Sequence, residues 1–383
     1  MTTRSASVLR PLPLSSPLTG DTASVARARW LDAFRGFTML CLVSRGFGFP
    51  RLAEVGWAAP IVGQFEHVPW TGLTAWDLVQ PFFMFIVGAA MPFAFAARRS
   101  KGGTWAGGWP HVLKRALVLL LFSHIAMIGT GGQWGWQLIN VLAQIAFAYV
   151  IAYAVLDARW SIQLATAAGL LLVHWAAHVF WPGVGVGGPW AKDANVGSAI
   201  DLALLGKNWS GGYATLNFVT SATATIGGIM AANVLRSPAP AIRKFAIITS
   251  TAMVLIGAGL AISPWVPIVK RIWTPSFAMV SVGITLLALL VFFAIDLAWP
   301  RVPWGILMAI GANCIFIYMT SILLGGRIRE IVTRVLGPIP NWIADWRGGP
   351  KEPWLSFAVD WIVLSILVGI AYWLYRRRVL IKI

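Results

Sequence analysis

The sequence has 383 residues, of which 58% are hydrophobic and 11% are charged, and its mean hydropathy is +0.74. A soluble domain carries about 25% charged residues, so this composition excludes an ordinary soluble domain and predicts an integral membrane protein. The formal net charge of +17 does not predict nucleic-acid binding, because Lys and Arg in a membrane protein first report its topology. Cys41 and Cys314 both lie in apolar runs, which argues against a disulfide framework or a cysteine-based metal site.

The first 29 residues differ in composition from the rest of the chain. Residues 1–29 contain Ser, Pro and Arg but lack the apolar core of a signal peptide. We therefore expect a disordered cytoplasmic tail, followed by a single transmembrane domain over residues 30–383.

Ten apolar runs come close to the roughly 20 residues that a helix needs to cross a bilayer. They lie near 30–49, 77–97, 112–129, 136–156, 160–181, 214–235, 244–263, 275–297, 303–324 and 354–376. The predicted fold is an all-α integral membrane protein with about ten transmembrane helices in one bundle. Two longer connections occur at 182–213 and 325–353, and within the second Gly326–Leu336 has the pattern of a short interfacial helix.

The distribution of basic residues predicts the orientation of this bundle. With both termini cytoplasmic, the cytoplasmic segments carry 18 of the 30 Lys and Arg residues and the opposite segments carry 10. Arg35 and Arg45, the remaining two, fall within the first run. Because cytoplasmic loops are enriched in bases, both termini are expected inside, and the 50–76 loop with His67 is expected on the outer face.

His67 is the most distinctive polar residue, and Asp77 follows it at the start of the second run. A neutral imidazole can take a proton from an amine or hydroxyl, and a carboxylate can hold its tautomer. A loop His beside Glu66 could equally be a solvated residue, and Asp77 could instead cap the following helix. The residues alone leave both interpretations open.

Charged side chains within apolar runs are costly, at least about 2.5–3.5 kcal/mol on insertion scales, and are therefore candidates for function. Asp32 and Arg35 share one helix face and could pair, either to fix the helix or to leave a cationic wall for an anionic cofactor. Arg45 could simply extend to the interface. The basic, Gly-rich loop 98–115 is explained by the positive-inside rule, and the alternative is phosphate capture at a cavity mouth.

The remaining polar residues suggest contacts between helices rather than a metal centre. His174 and His178 are four apart on one helix face, but no third ligand is evident and we expect no metal site. Polar residues of other runs could bond helix to helix or line a cavity. These are Asn140, Gln144, Asn217, Lys270 and Asn313.

Two segments, RWLDAFRGFTM at 29–39 and FEHVPWTGLTAWDLVQPFFMFIVGAAMPF at 65–93, resemble one known family. It is the family of transmembrane acyltransferases related to lysosomal heparan-α-glucosaminide N-acetyltransferase, and the resemblance is greatest to its bacterial homologues. Supporting patches follow in order along the chain. They are Asn140–Tyr149, Tyr213–Met230, Pro267–Phe277 and Gly311–Met319.

This resemblance implies a multi-helix enzyme that takes an acetyl group from cytoplasmic acetyl-CoA. It would pass that group to an amino sugar or related glycan on the outer, periplasmic face of a bacterial inner membrane. The catalytic His of the family matches His67, as general base or acetyl carrier, and its following Asp matches Asp77. The family segment LDAFRG matches Leu31–Gly36, so Arg35 is the first candidate for contact with the CoA phosphates.

Further site residues are expected from their charge or polarity and their place in the sequence. The acetyl-CoA site would also include Arg98, Arg99, Lys114 and Arg115 of the basic, Gly-rich loop. The acceptor site or cavity would be lined by Trp70, Arg45, Asn140, Gln144, Asn217, Lys270 and Asn313, of which Trp70 and the three residues Asn140, Gln144 and Asn217 could donate to an oxyanion. We expect no metal and no nucleic-acid partner, and a homodimer is compatible with the sequence.

One departure from the family concerns the acceptor. Lysosomal members have an Asn after the first span, where this chain has Ser44 and Arg45. A charge close to the expected acceptor site weakens the expectation of an amino-sugar acceptor more than it weakens the expectation of acyl transfer.

Two other functions remain in competition with acyl transfer. A transporter of an anionic solute could use Arg35, Arg45 and Lys270 as its path, although neither internal repeats nor broken helix pairs are evident in the sequence. A non-catalytic membrane scaffold would leave the block around His67 unexplained.

Overall fold

The computed structural model describes residues 28–129, 138–336 and 353–381, and the regular elements in these ranges are all helices. The expected disordered tail lies outside the described residues except for its last two residues, and the first helix already begins at Arg29.

The described residues form 13 α-helices. They are α1 (Arg29–Val43), α2 (Ala59–Val62), α3 (Val79–Arg99), α4 (Trp109–Gly129), α5 (Val141–Ala154), α6 (Trp160–Val179), α7 (Val196–Leu205), α8 (Asn217–Arg236), α9 (Ala241–Ile262), α10 (Pro275–Ala298), α11 (Gly305–Ala312), α12 (Cys314–Leu336) and α13 (Trp354–Arg376). A helix therefore lies at each of the ten positions predicted from the apolar runs.

The protein is a multi-pass helical membrane protein. In the described part of the chain, seven helical segments are long and apolar enough to cross a membrane, and the bent pair α11 and α12 makes an eighth if it forms one span. Helices α1 and α5 occupy predicted spans but have only 15 and 14 residues, fewer than the roughly 20 that cross a bilayer. The count of ten spans and the cytoplasmic position of the termini remain predictions.

The first helix ends earlier than the apolar run predicted. The Ser44 hydroxyl donates to the carbonyl of Cys41 at 2.8 Å, and Arg45 adopts a left-handed conformation with φ of 50°. Because this conformation cannot continue a right-handed helix, the chain leaves α1 after Val43 and continues as a 3₁₀ segment over Gly46–Leu52.

Two connections also differ from expectation. Gly326–Leu336 is not a separate interfacial helix but the continuation of α12, which starts at Cys314. The 182–213 connection contains α7, whose N-terminus is capped by Asn195 through a 3.1 Å hydrogen bond from the Ser198 N–H. This Gly-rich connection therefore contains a capped helix of ten residues.

A sharp bend separates α11 from α12. The two helices meet at 76° with the fully buried Asn313 between them. The amide Nδ2 of Asn313 donates to the carbonyl of Val379 at 3.0 Å, and the Ile381 N–H donates to Oδ1 at 2.8 Å. The hydrogen-bonding groups of the Asn313 side chain at the bend are therefore satisfied by the C-terminal segment 379–381 rather than by another helix.

Helices α3 and α8 pack at backbone contact. A Cβ added at Gly88 would lie 1.8 Å from the carbonyl oxygen of Thr225, and one added at Gly228 would lie 2.0 Å from that of Phe85. Close approach of this kind is how small residues drive association of membrane helices. The outward faces of α6 and α9 are by contrast apolar and exposed, as a lipid-facing surface requires.

Candidate active site

Three loops that are distant in sequence meet around the segment carrying His67. The Gly72 N–H donates to the carbonyl of Ile268 at 2.8 Å, and the Trp70 indole donates to the carbonyl of Trp190 at 3.0 Å. The Trp190 indole in turn donates to the carbonyl of Trp265 at 3.1 Å. These bonds fix the loop before α3 against the loops before α7 and α10.

Asp77 uses its two carboxylate oxygens for different contacts. Oδ2 accepts from the Thr74 N–H at 3.1 Å and lies 3.0 Å from the Thr74 hydroxyl, forming a capping box that starts the helical turn leading into α3. Oδ1 lies 2.8 Å from Nδ1 of His67. The carboxylate thus makes both contacts that the sequence offered as alternatives, the cap and the contact with His67.

The geometry assigns a tautomer to His67. An ionised carboxylate only accepts hydrogen bonds, so the 2.8 Å contact places the ring proton on Nδ1 and leaves Nε2 with a lone pair. The Asp77 side chain is 1% exposed whereas that of His67 is 38% exposed. A buried carboxylate therefore supports an imidazole that is accessible to a reactant.

Lys270 is the third charged group of this cluster. Its Nζ lies 3.4 Å from Oδ1 of Asp77 and 3.0 and 3.4 Å from the two ring nitrogens of His67. Burial lowers the pKa of Lys270 to about 8, and the nearby Asp77 charge opposes that effect. Lys270, expected among the residues lining an acceptor site or cavity, is placed directly against the His67–Asp77 pair.

A strained and buried turn directs Lys270 toward this pair. The 3₁₀ turn Lys270–Ile272 ends at Trp273, which is fully buried in a left-handed conformation with φ of 47°. The Trp273 carbonyl accepts from the Thr220 hydroxyl at 2.7 Å, and Thr274 Oγ1 accepts from the Val269 N–H at 3.0 Å. Bonds on both sides of the turn hold a conformation that a bulky residue otherwise avoids.

Arg271 is a site residue that the sequence interpretation did not single out. Its guanidinium donates to the carbonyls of Gly211 at 2.6 Å and Val68 at 3.4 Å and lies 5.3 Å from the centre of the Tyr213 ring. Arg271 therefore joins the His67 loop to the segment before α8. The adjacent bases of the patch PIVKRIWTPSF are the only sequence feature that could have indicated it.

The amide and indole donors expected to serve an oxyanion bond within the protein instead. Asn217 Nδ2 donates to the carbonyl of Arg271 at 2.7 Å, and Gln144 Nε2 donates to two backbone carbonyls at 3.2 and 3.4 Å. The Asn140 side chain caps α5 by accepting a backbone N–H at 2.9 Å. Together with Trp70, these groups hold the loops in place, and this conformation does not direct their donors at the imidazole.

A cavity of about 260 Å³ lies between α1, α3, α4, α5 and the α11–α12 bend. Its wall is apolar apart from Arg35 and Arg115, which approach it from α1 and α4. Arg35 also pairs with Asp32 at 3.1 Å, as expected, and Arg115 lies 4.7 Å from the centre of the Tyr149 ring. The buried Nε of Arg115 has no hydrogen-bond partner among the described residues.

The other three bases expected in the acetyl-CoA site do not line this cavity. Arg99 pairs with Asp157 at 3.1 Å beside a separate pocket of about 310 Å³. Arg98 lies next to the Tyr153 hydroxyl, and Lys114 is exposed on α4. The five bases therefore do not form one cluster, because neighbouring bases on α3 and on α4 point in different directions around their helices.

Two residues expected at the acceptor site lie elsewhere. Arg45 lines a small cavity against α12 and α13 that also contains Arg329 and Asp360, and Asp360 pairs with Arg51 at 3.1 Å as well as with Arg329. Asn313 is taken up by the C-terminal segment. The sequence analysis had placed both residues at the acceptor site, but neither lies in the surroundings of His67.

His174 and His178 are buried and face each other, with ring centres 4.2 Å apart. His178 Nδ1 lies 2.9 Å from the His174 carbonyl, and its ring stacks on Trp190. The two imidazole planes are inclined at 32° to each other. In the described ranges, no three His, Cys, Asp or Glu side chains come together as metal ligands would.

Comparison with known proteins gives two matches and no matching family model. The chain is 32% identical over 92 residues to heparan-alpha-glucosaminide N-acetyltransferase of Mus musculus, covering 24% of this chain and 12% of that protein. It is 30% identical over 96 residues to the Homo sapiens protein of the same name, covering 23% of this chain and 13% of that protein. The chain is a distant relative of these enzymes, and the matched segment spans only about an eighth of their length.

Proposed function

We propose that this distant relative of heparan-alpha-glucosaminide N-acetyltransferase is a transmembrane acyltransferase of a bacterial inner membrane. It would move an acetyl group from cytoplasmic acetyl-CoA to an amino sugar or related glycan on the outer face. The observation that carries the proposal is the exposed His67 ring bonded to the buried Asp77. Four of the segments that resemble the acyltransferase family supply residues to this one cluster of loops.

The proposed role of His67 is that of a general base. Its Nε2 takes a proton from the acceptor amine as the nitrogen attacks the thioester carbon. The carbon–nitrogen bond forms, the carbon–sulfur bond breaks, and the imidazolium returns the proton to the leaving thiolate. Asp77 would hold the ring with Nδ1 protonated, which in the neutral ring leaves the lone pair of Nε2 to accept that proton.

The apolar cavity between α1 and α5 is the proposed site of the acyl donor. Arg35 and Arg115 would hold phosphate oxygens, and the buried, unpartnered Nε of Arg115 fits an anion. The first turn of α12, at Cys314 and Ile315, also lines the cavity, and free N–H groups at a helix N-terminus favour negative charge.

The length of the cavity supports a thioester arm that reaches toward the outer face. Its lining on α3 extends from Ala94 to Phe83, about 17 Å at the usual rise of an α-helix. Asp77 lies six residues further along the chain, about 9 Å at the same rise. A donor entering from the cytoplasmic side would therefore cover most of the distance to His67 within this cavity.

Replacement of His67 tests the proposal most directly. Purified protein in lipid nanodiscs is supplied with radiolabelled acetyl-CoA and glucosamine, and acetylated product is measured. We expect His67→Ala to lower the initial rate by about 10²–10⁴-fold, the usual contribution of a general base. His111→Ala, which removes another exposed imidazole, is the matched control and should retain the rate.

Mass spectrometry of the protein in the same preparation separates two forms of the mechanism, His67 as a general base and His67 as an acetyl carrier. An acid-labile mass increase of one acetyl group on His67 before acceptor is added would identify the His as an acetyl carrier. A His67→Ala protein that acetylates its acceptor at the normal rate would exclude both forms.

Transport of an anionic solute is less well supported. The α11–α12 bend is a broken helix of the kind transporters use, and the sequence had not indicated it. The three cations proposed as a path are nevertheless separated: Arg35 lines the cavity between α1 and α5, Arg45 lines the small cavity against α12 and α13, and Lys270 contacts His67. Thermal stabilisation by a solute but not by acetyl-CoA would favour transport.

A further inference from the structure

Two potential cations compete for one carboxylate beneath the imidazole. Oδ1 of Asp77 lies 2.8 Å from Nδ1 of His67 and 3.4 Å from Nζ of Lys270. The Asp77 and Lys270 side chains are 1% and 6% exposed, so water does little to screen either charge. An ionised carboxylate buried to this degree needs a counter-charge, because an unpaired buried ion is strongly unfavourable.

The charge balance depends on which neighbour supplies that counter-charge. With Lys270 protonated and His67 neutral, the three groups sum to zero. Protonating the imidazole as well would put two cations within 3.0–3.4 Å of each other, which like-charge repulsion disfavours. Without the ammonium, an imidazolium would be the natural partner of Asp77.

We propose that Lys270 is a positioning residue that supplies the counter-charge of Asp77 and thereby keeps the His67 imidazole unprotonated. The proposal rests on the function proposed for His67, because an unprotonated Nε2 is what a general base requires. A chain without this cation would retain the His67–Asp77 contact but would hold the ring in its charged form. Lys270 would thus determine which protonation state the same two residues adopt.

The other charged and titratable groups around His67 leave this assignment intact. Arg271, from the same turn as Lys270, directs its guanidinium to the carbonyls of Gly211 and Val68 rather than to the carboxylate. Tyr213 lies under that guanidinium. Glu66, next to His67 in the chain, is exposed, and its backbone carbonyl accepts from the Thr74 hydroxyl at 2.7 Å.

Chemical labelling of His67 tests the proposal without any acyl donor or acceptor. Diethyl pyrocarbonate acylates unprotonated imidazole, and the label on the His67 peptide is quantified by mass spectrometry as a function of pH. The background variant His111→Gln removes the other exposed imidazole, and His174 and His178 are buried. The measured quantity is the pH at which the labelling rate of His67 is half maximal.

We expect Lys270→Met to move this midpoint upward by at least one pH unit, so that labelling below the midpoint slows about tenfold. Lys270→Arg, which retains a cation at this position, should keep the midpoint of the parent protein. The control Lys101→Met, at an exposed lysine, should also keep it. The double variant Lys270→Met with Asp77→Asn should lose the upward shift, because no carboxylate remains to stabilise an imidazolium.

The midpoint distinguishes this proposal from the proposed function. An unchanged midpoint in a folded Lys270→Met protein would overturn the role of Lys270 even if His67→Ala abolishes acetyl transfer. An upward shift would support it even if no acetyl acceptor is found. Folding is monitored by the thermal transition, and Lys270→Gln replaces the Met variant with the same expected shift if the Met variant does not fold.

Discussion

The loop cluster around His67 and the cavity between α1 and α5 are built in opposite ways. Around His67 the chain is irregular, and polar side chains are bonded to partners from three loops. The cavity is walled mainly by regular helices, is largely apolar, and has two arginines as its charged residues. Dense bonding suits a site that must hold reacting atoms in place, whereas a smooth apolar wall suits a long flexible ligand that must slide in.

This contrast predicts a separation of kinetic effects. Changes in the loop cluster should act on turnover, since its groups face the proposed reacting atoms. Changes at the cavity should act on donor affinity, because Arg35 and Arg115 are the charged residues that line it. Each experiment below asks whether the two regions separate in this way.

Asp77→Asn should have the largest effect. The amide can still cap α3, but it no longer requires the His67 proton to sit on Nδ1, so the wrong tautomer becomes accessible. We expect kcat to fall by about 10²–10⁴-fold. Initial rates at saturating acetyl-CoA measure this, and a loss confined to KM would assign Asp77 to binding instead.

Lys270 should make the stability of the protein depend on alkaline pH. Its pKa is lowered from 10.5 to about 8 in the folded protein, so between these values the unfolded chain binds more protons and stability rises with pH. The lowered pKa corresponds to a gain on the order of 3 kcal/mol between pH 8 and 10.5. Thermal transitions of the wild-type protein and Lys270→Met across this range isolate the contribution, and parallel curves would contradict it.

Removing either cavity arginine should weaken the donor without slowing the chemistry. A hydrogen bond to a charged group contributes about 1.5–3 kcal/mol, so Arg115→Gln and Arg35→Gln should each raise KM for acetyl-CoA by about 10–100-fold with kcat nearly unchanged. Arg99→Gln, at a base outside the cavity, is the matched control. If Arg99→Gln raised KM equally, the donor would bind along the other pocket.

Asn313→Ala should have the smallest effect. It removes both side-chain hydrogen bonds to the C-terminal segment, and Ile381 of that segment lines the cavity. We expect a loss of about 1–3 kcal/mol in unfolding free energy and a several-fold rise in KM for acetyl-CoA. Denaturation and steady-state kinetics measure the two, and an unchanged KM would mean that the segment does not shape the donor site.

The sequence offered a candidate contact within one segment but none between distant segments. His67 and Asp77 are ten residues apart, and a contact between them was one of the alternatives that the residues left open. Lys270 is separated from His67 by 203 residues, and no local pattern links them. Its position depends on the left-handed Trp273 and on carbonyl contacts that only the folded loops provide.

The helix positions were predictable because apolar runs are long, but their ends were not. Arg45 ends the first helix through its backbone conformation, and Asn313 lies at the α11–α12 bend, where its side-chain amide bonds to the C-terminal segment. Neither residue type forces such a change by itself. The basic loop failed as a predictor for a related reason, since adjacent bases such as Lys114 and Arg115 point about 100° apart around a helix.

The glycine contact between α3 and α8 fixes the spacing of these two helices. Helix α3 connects the cavity wall at Ala94 to the turn carrying Asp77, while α8 begins beside the loop whose Gly211 carbonyl accepts a hydrogen bond from Arg271. A Cβ at Gly88 or Gly228 would meet a backbone carbonyl oxygen at 1.8 or 2.0 Å, so a side chain at either position would force the two helices apart. The separation between the proposed donor site and the imidazole therefore depends on this backbone contact, and one added methyl group should lower the proposed transfer activity without touching a polar atom.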